Sequence, residues 1–441
     1  MCEDLVIIHM AAIPQNNGCQ NDILERQTYM KLDLTDMLYA LSFALDKVEE
    51  ELLGIDTGHG KRVAYLSLLM GEEAGYQEEE LRDFIGCCLL HDNALTEFIH
   101  EELSHSQMAE LLSVKLSDIA DQKKTKLNHD HSVIGEQNIR MIPFRTDVKN
   151  IILYHHENAD GSGALGMTVA ETSLKSQILR LADIVDTSCR LKTMTRAEFD
   201  DTRGFVESRK GTLFSKEAVD LFLKAVDYDK IVRMQEKDVL SCLHEKLQEK
   251  ILNYSDEEVR NIAGLFAKIV DYKSEFTQNH SAGVAQKAGI MAQYYHFDDE
   301  KAIRYYFAGA MHDIGKLAVI NDILEKPGKL TVDEFAEMKN HAAASRYILI
   351  QIKEIPDNVG WASNHHEKLN GKGYPQGLTA EELGFEERLM ACIDIYQALT
   401  EKRPYKDGMS HEKTILIMMD MAGKGELDEK IVRDIAIVMA G

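Results

Sequence analysis

The sequence predicts an all-α protein built as two helical bundles in tandem. Three observations carry that expectation. Only six prolines interrupt 441 residues. Apolar residues recur at helical spacing through long stretches. One arrangement of histidines and aspartates occurs twice, at matched intervals, which is the mark of an internal repeat.

The repeat is read directly from the residues. His59-Gly-Lys-Arg-Val-Ala parallels His280-Ser-Ala-Gly-Val-Ala, Leu90-His91-Asp92 parallels Met311-His312-Asp313, and His155-His156-Glu157 parallels His365-His366-Glu367. Asp183 in LADIVD parallels Asp394 in CIDIYQ. His59 to His91 and His280 to His312 each span 32 residues, and His131 to His155 and His341 to His365 each span 24. The halves differ most between the His-Asp pair and the next histidine, 40 residues against 29, so a longer loop or an added helix is expected within 95–130. The expected division is an unassigned extension over 1–30, one copy over 31–250 and the second over 251–441. The charged stretch 236–254 is read as a connecting helix.

Each expected helix places its histidine or aspartate on an apolar face. His280 shares a face with Val284, Ala288 and Met291, and His59 with Val63, Leu66 and Met70. His312-Asp313 follows Ile303, Phe307 and Ala310, with Gly315 as the expected C-cap. His341 opens a segment carrying Ala344, Ile348 and Ile352; His365-His366 ends one carrying Val359, Trp361 and Ala362. Asp394 lies within RLMACIDIYQAL, where an unpaired carboxylate is expensive. A single histidine on an apolar face is ordinarily a satisfied core residue. Five histidines and two aspartates recurring in both halves need a shared partner, and divalent metal supplies one. Mixed imidazole and carboxylate donors suit iron, manganese or zinc better than magnesium or calcium. Seven donors exceed what one tetrahedral ion takes, so two ions sharing a carboxylate are expected.

Composition narrows the partners. A net charge of −24 argues against binding a DNA or RNA polymer, although metals and a few basic side chains can reverse the field locally for a small anion. Seven cysteines without a C-x-x-C pair suggest no disulfide framework. With no stretch long enough to span a bilayer and an acidic start unlike a signal peptide, a cytoplasmic protein is expected.

HDIGK at His312–Lys316, HHEKLNGKGYP at His365–Pro375 and DIYQALTEKRPYK at Asp394–Lys406 together resemble the HD-GYP family of cyclic-dinucleotide phosphodiesterases, within the HD superfamily. The resemblance is close over about 255–441 and divergent over 35–235. It implies a metal-dependent hydrolase of bacterial second-messenger signalling that opens cyclic di-GMP or 3′,3′-cyclic GMP-AMP to a linear dinucleotide or mononucleotides. A homodimer is compatible with it. The implied ligands are His280, His312, Asp313 and Asp394 for one ion and Asp313, His341, His365 and His366 for the other, with Asp313 shared. Lys316, Tyr374, Arg403 and Lys406 are implied to handle substrate. Phe276 stands where some members carry a third-metal glutamate, with Glu275 one residue out of register, so two ions are expected. Asn370 and Gln397 replace two aspartates usual in the family.

The first half keeps every ligand position: His59, His91, Asp92, His131, His155, His156 and Asp183. It carries Leu95 in place of Lys316, Ala164-Leu165 in place of Tyr374-Pro375, and Lys192 at the position of Arg403. A metal site without hydrolysis is expected there. The competing readings are an HD-type nucleotidase or dNTP phosphohydrolase, and a non-catalytic metal-bound receptor.

Overall fold

The computed structural model describes residues 29–54, 57–97, 121–274, 279–326, 328–402 and 407–440. Arg403, Lys406, Glu275, Phe276 and most of the 95–130 insertion lie outside them, so those expectations concern residues beyond the described set. The described residues are overwhelmingly helical, with one two-stranded antiparallel sheet. None of their helices is long and apolar enough to cross a membrane.

That sheet replaces the connecting helix expected at 236–254. A short helix, Val239–His244, is followed by the strand Ile251–Ser255, which pairs with Tyr29–Asp33 in the register Tyr29↔Ser255 to Asp33↔Ile251. Each strand runs straight into a capped helix. Asp33 accepts from the Thr35 and Asp36 amides to start Leu34–Leu53, and Ser255 forms a reciprocal capping box with Glu258 to start Asp256–Asp271. The two copies therefore begin alike and are held side by side at their entrances.

From there the halves run in parallel order. His59–Glu73, Glu78–Leu89, Asp121–Asn138 and Leu174–Cys189 in the first correspond to His280–Tyr294, Asp299–Met311, Val332–Leu349 and Phe385–Thr400 in the second. Their apolar faces form one continuous core that includes the fully buried Phe84, Leu66, Phe266, Met291 and Phe307. Burying each such side chain contributes about 1.5–3 kcal/mol. The halves also meet through polar contacts. Glu51 pairs with Lys273 and accepts from the Asn321 amide at 2.7 Å, and Lys268 pairs with Glu97 at 2.7 Å.

Two local expectations are corrected. His341 sits in the middle of Val332–Leu349 rather than at a helix start. The first turns of that helix are solvent-facing, Val332 being 86% exposed, so no apolar stripe announces them. Gly315 is not a left-handed cap. It lies where a Cβ would come within 2.0 Å of the His341 carbonyl, and its amide donates to Ser345 Oγ at 2.9 Å. Glycine is needed there so that the segment after Asp313 can press against the His341 helix.

Candidate metal centre

All seven predicted donors of the second half converge. His280, His312 and Asp394 form one compact group, and Asp313, His341, His365 and His366 form another. Asp313 faces both. Its Oδ2 lies 3.1 Å from His312 Nε2 and 3.7 Å from His280 Nε2. Its Oδ1 lies 3.4 Å from His341 Nε2 and 3.6 Å from His365 Nε2. Asp394 Oδ1 is 3.0 Å from His280 Nε2, and its Oδ2 is 3.8 Å from His366 Nδ1.

The backbone fixes which ring nitrogen faces inward. His312 donates from Nδ1 to the Gly309 carbonyl at 2.8 Å, His341 to Met338 at 2.5 Å, and His365 to Ala362 at 2.6 Å. With the proton on Nδ1, each Nε2 presents a lone pair to the centre. His312 Nε2, His341 Nε2, His365 Nε2 and Asp313 Oδ1 are buried there without a hydrogen-bond partner. Orphaned acceptors cost about 1–3 kcal/mol each, and four aimed at one another fit a bound cation.

The electrostatics agree. Burial opposes charge on Asp313, yet His312 and Lys316 hold its carboxyl well below the ordinary range. Burial, with His366 and His312, keeps His365 well below the usual imidazole value. Burial also pushes His366 down to about 3. Ionised carboxylates beside neutral imidazoles are the protonation state that metal ligands require. His280 goes the other way. Burial would lower it, but hydrogen bonds to Asp394 and Glu401 raise it to about 9.

The backbone also places the groups around the donors. Asp271 accepts from the Ser281 amide at 3.0 Å and the Ala282 amide at 3.4 Å, capping the helix that begins with His280. Lys316 Nζ donates to Asp313 Oδ2 at 2.5 Å. The Tyr374 ring packs against His366 with centroids 4.7 Å apart and planes tilted by 38°, in a loop whose amides at Gln376, Gly377 and Leu378 donate to Glu367.

Glu401 escaped the sequence reading. It accepts from His280 Nδ1 at 3.1 Å and so orients a ring that has no backbone carbonyl to do it. The first half performs this task with Asp186, which accepts from His59 Nδ1 at 2.7 Å. Asp186 follows Asp183 by three residues, and the matching position in the second half is Gln397. That side chain accepts from Lys287 at 2.6 Å and packs against Gly283. Glu401 lies seven residues after Asp394, two turns along, and that i+7 spacing was the available signal. Replacing Glu401 with Gln is expected to weaken metal affinity about 10–100-fold, the usual effect of losing the partner of a ligating histidine. Competition with a graded chelator measures it, and unchanged affinity with unchanged helicity would show that Glu401 only packs.

The first half gathers its seven donors in the same pattern. His59, His91 and Asp183 form one group and Asp92, His131, His155 and His156 the other. Asp92 again faces both, with Oδ2 3.6 Å from His91 Nε2 and Oδ1 3.5 Å from His131 Nε2. His59 Nε2 and His91 Nε2 stand 3.2 Å apart while their Nδ1 protons are directed to Asp186 and the Cys88 carbonyl. Burial would lower His59, but hydrogen bonds to Asp183 and Asp186 hold it well above the usual imidazole value, so a proton on Nε2, or a metal ion in its place, bridges the pair. The second group differs. Arg180 Nη1 donates to His156 Nδ1 at 3.2 Å, which leaves the ring proton on Nε2, 2.9 Å from His131 Nε2. That histidine pair satisfies itself. The buried Leu95 stands at the position of Lys316.

Comparison with known proteins places this geometry. The HD domain family matches residues 264–431, and a second HD domain match covers 57–188. A 3′3′-cGAMP-specific phosphodiesterase 1 of Vibrio cholerae is 28% identical over 91% of this chain and 90% of its own length. A 3′3′-cGAMP-specific phosphodiesterase 3 of the same organism is 26% identical over 87% and 90%. A probable cyclic di-GMP phosphodiesterase of V. cholerae is 31% identical over 54% of this chain and 58% of its own. A crystal structure of a cyclic GMP-AMP specific phosphodiesterase of V. cholerae superposes with a TM-score of 0.63, covering 94% of this chain and 98% of that one. At 23% identity that likeness is one of fold. The chain belongs to the HD domain family and carries the domain twice, in tandem.

Proposed function

We propose that the second half hydrolyses a phosphodiester bond of a cyclic dinucleotide at a two-metal centre held by His280, His312, Asp313, His341, His365, His366 and Asp394. The observation that carries this reading is Asp313, whose two oxygens face two separate sets of buried donors, among which His312 Nε2, His341 Nε2 and His365 Nε2 have no hydrogen-bond partner. Histidine-rich donors with carboxylates favour iron or manganese. When bound, such a pair of ions activates water and neutralises charge on the phosphoryl group.

The chain's own residues do the rest. Asp313 and Asp394 supply the anionic charge, while the backbone-held imidazoles keep their lone pairs inward. Lys316 neutralises Asp313 and lies close enough to offer a second proton donor to a phosphate oxygen. Tyr374, packed against His366, walls the centre and gives a face for a base. The resemblance assigns the second phosphate to Arg403, whose guanidinium is a planar fork, and to Lys406. The substrate favoured is 3′,3′-cyclic GMP-AMP, because the relatives matching about nine tenths of both chains carry that name, whereas the cyclic di-GMP relative cited matches little more than half. The product is the linear dinucleotide, then mononucleotides. A cytoplasmic location and a homodimer belong to the same reading.

Turnover of cyclic GMP-AMP, cyclic di-GMP, nucleoside monophosphates and dNTPs, measured with iron and with manganese, tests it. Cyclic dinucleotides are expected to be cut first. Cleavage of mononucleotides or dNTPs alone would make the protein a nucleotidase, and binding without cleavage a receptor. Lys316→Ala is expected to retain metal and lower kcat/KM by about 30–1,000-fold, which corresponds to about 2–4 kcal/mol for one charged donor in an enclosed site. Unaltered kinetics would remove Lys316 from substrate handling.

A further inference from the structure

A cavity of about 840 Å³ opens over the donor cluster of the first half. Asp92, His131, His156 and Asp183 line its floor. Its volume falls within the range of pockets that enclose small ligands. Nothing in the proposed hydrolysis uses it.

Its walls are of two kinds. Arg180, Arg190 and Lys192 bring positive charge to it, and Leu191, Phe205 and Leu213 give it an apolar side. Arg180 lies one turn before Asp183 on the helix Leu174–Cys189, where the second half has Ala391. Its Nη2 donates to Asn158 at 3.0 Å, and its Nε is buried without a partner. Arg190 holds a left-handed backbone at φ 50 at the end of that helix, a conformation that non-glycine residues rarely adopt. The bend leads into the turn carrying Lys192, which is exposed and makes no ion pair with any described residue. Lys192 occupies the position matching Arg403. Cations at floor and rim, with an aromatic ring and leucines beside them, suit a ligand that joins a phosphate to a flat apolar base.

We propose that the first half is a nucleotide-binding site: Arg180, Arg190 and Lys192 take the phosphate, and Phe205 and Leu213 take the base. It holds its ligand without cleaving it, because Leu95 and Ala164 stand where the second half has Lys316 and Tyr374. The site rests on its own residues, and only its choice of a nucleotide related to the substrate rests on the function proposed above.

Equilibrium titration of the metal-loaded full chain carrying Asp313→Asn, with GMP, cyclic GMP-AMP and inorganic phosphate as separate probes, reads it out. Two classes of nucleotide site are expected. Lys192→Ala, on the exposed rim where folding is not at stake, should weaken one class about tenfold. Arg180→Leu should abolish that class and leave the other unchanged. Phe205→Ala should weaken GMP but not inorganic phosphate. A single class that ignores Arg180 and Lys192 overturns the proposal. Binding that responds to these substitutions in a protein whose second half cleaves no cyclic dinucleotide would leave this site standing while the function reading fails.

Discussion

Asp313→Ala is expected to reduce turnover by at least about 10³-fold, above the effect of losing any single donor that touches substrate alone. The aspartate's two oxygens face both donor groups, at 3.1 Å from His312 and 3.4 Å from His341, closer on the second side than Asp394, whose Oδ2 stands 3.8 Å from His366. Its removal does more than delete a ligand. It leaves Lys316 without its carboxylate partner and leaves the inward imidazoles without the anion that balances them when a dication binds. Metal content should therefore fall together with activity. Asp313→Asn tests the charge with the shape kept. It can still offer one carbonyl oxygen, so partial metal retention with lost turnover is expected of it. Elemental analysis and single-turnover kinetics on the same preparations check both. Asp313→Ala with full metal and rate would show that the two groups do not share a carboxylate.

Much of this centre was legible because a metal cluster on helices obeys simple spacing. His312-Asp313 ends one helix and His365-His366 follows another, so apolar periodicity and the doubled 32- and 24-residue intervals were enough to single out both sets. What escaped depends on contacts between distant segments. The strand YMKLD at Tyr29–Asp33 finds its partner more than two hundred residues away, and neither five-residue strand has a hairpin turn to announce it. Gly315 reads locally as a helix end, whereas its role is to admit the His341 helix. Gln397 drew the eye as a lost aspartate, although the hydrogen bond it would have made is supplied by Glu401 one turn on. Nothing in the spacing singles out Arg180. Only the fold places it against His156.

That arginine is where the halves part, and it shapes the second large effect expected. The His91→Ala/Asp92→Ala double substitution should lower the metal content of the full chain by about one ion and lower its melting temperature, while the second half keeps its turnover. His59 and His91 bring their Nε2 atoms within 3.2 Å of each other beside Asp183, where an ion can take the place of the proton between them. The other group has already spent a proton: Arg180 fixes His156 in the tautomer that satisfies His131. One ion in the first half and two in the second, about three per chain, are therefore expected. The stability effect follows from linkage, because an ion bound by the folded chain and not by the unfolded one adds its binding free energy to folding. At a free metal concentration about 1,000 times the dissociation constant that term is about 4 kcal/mol. It should shrink when chelator is added to the parent protein, and chelator should barely move the first-half contribution in the double variant. Equal metal content in parent and variant would make the first cluster a packing surface. Loss of turnover with the second-half metal intact would make the first half part of the catalytic unit.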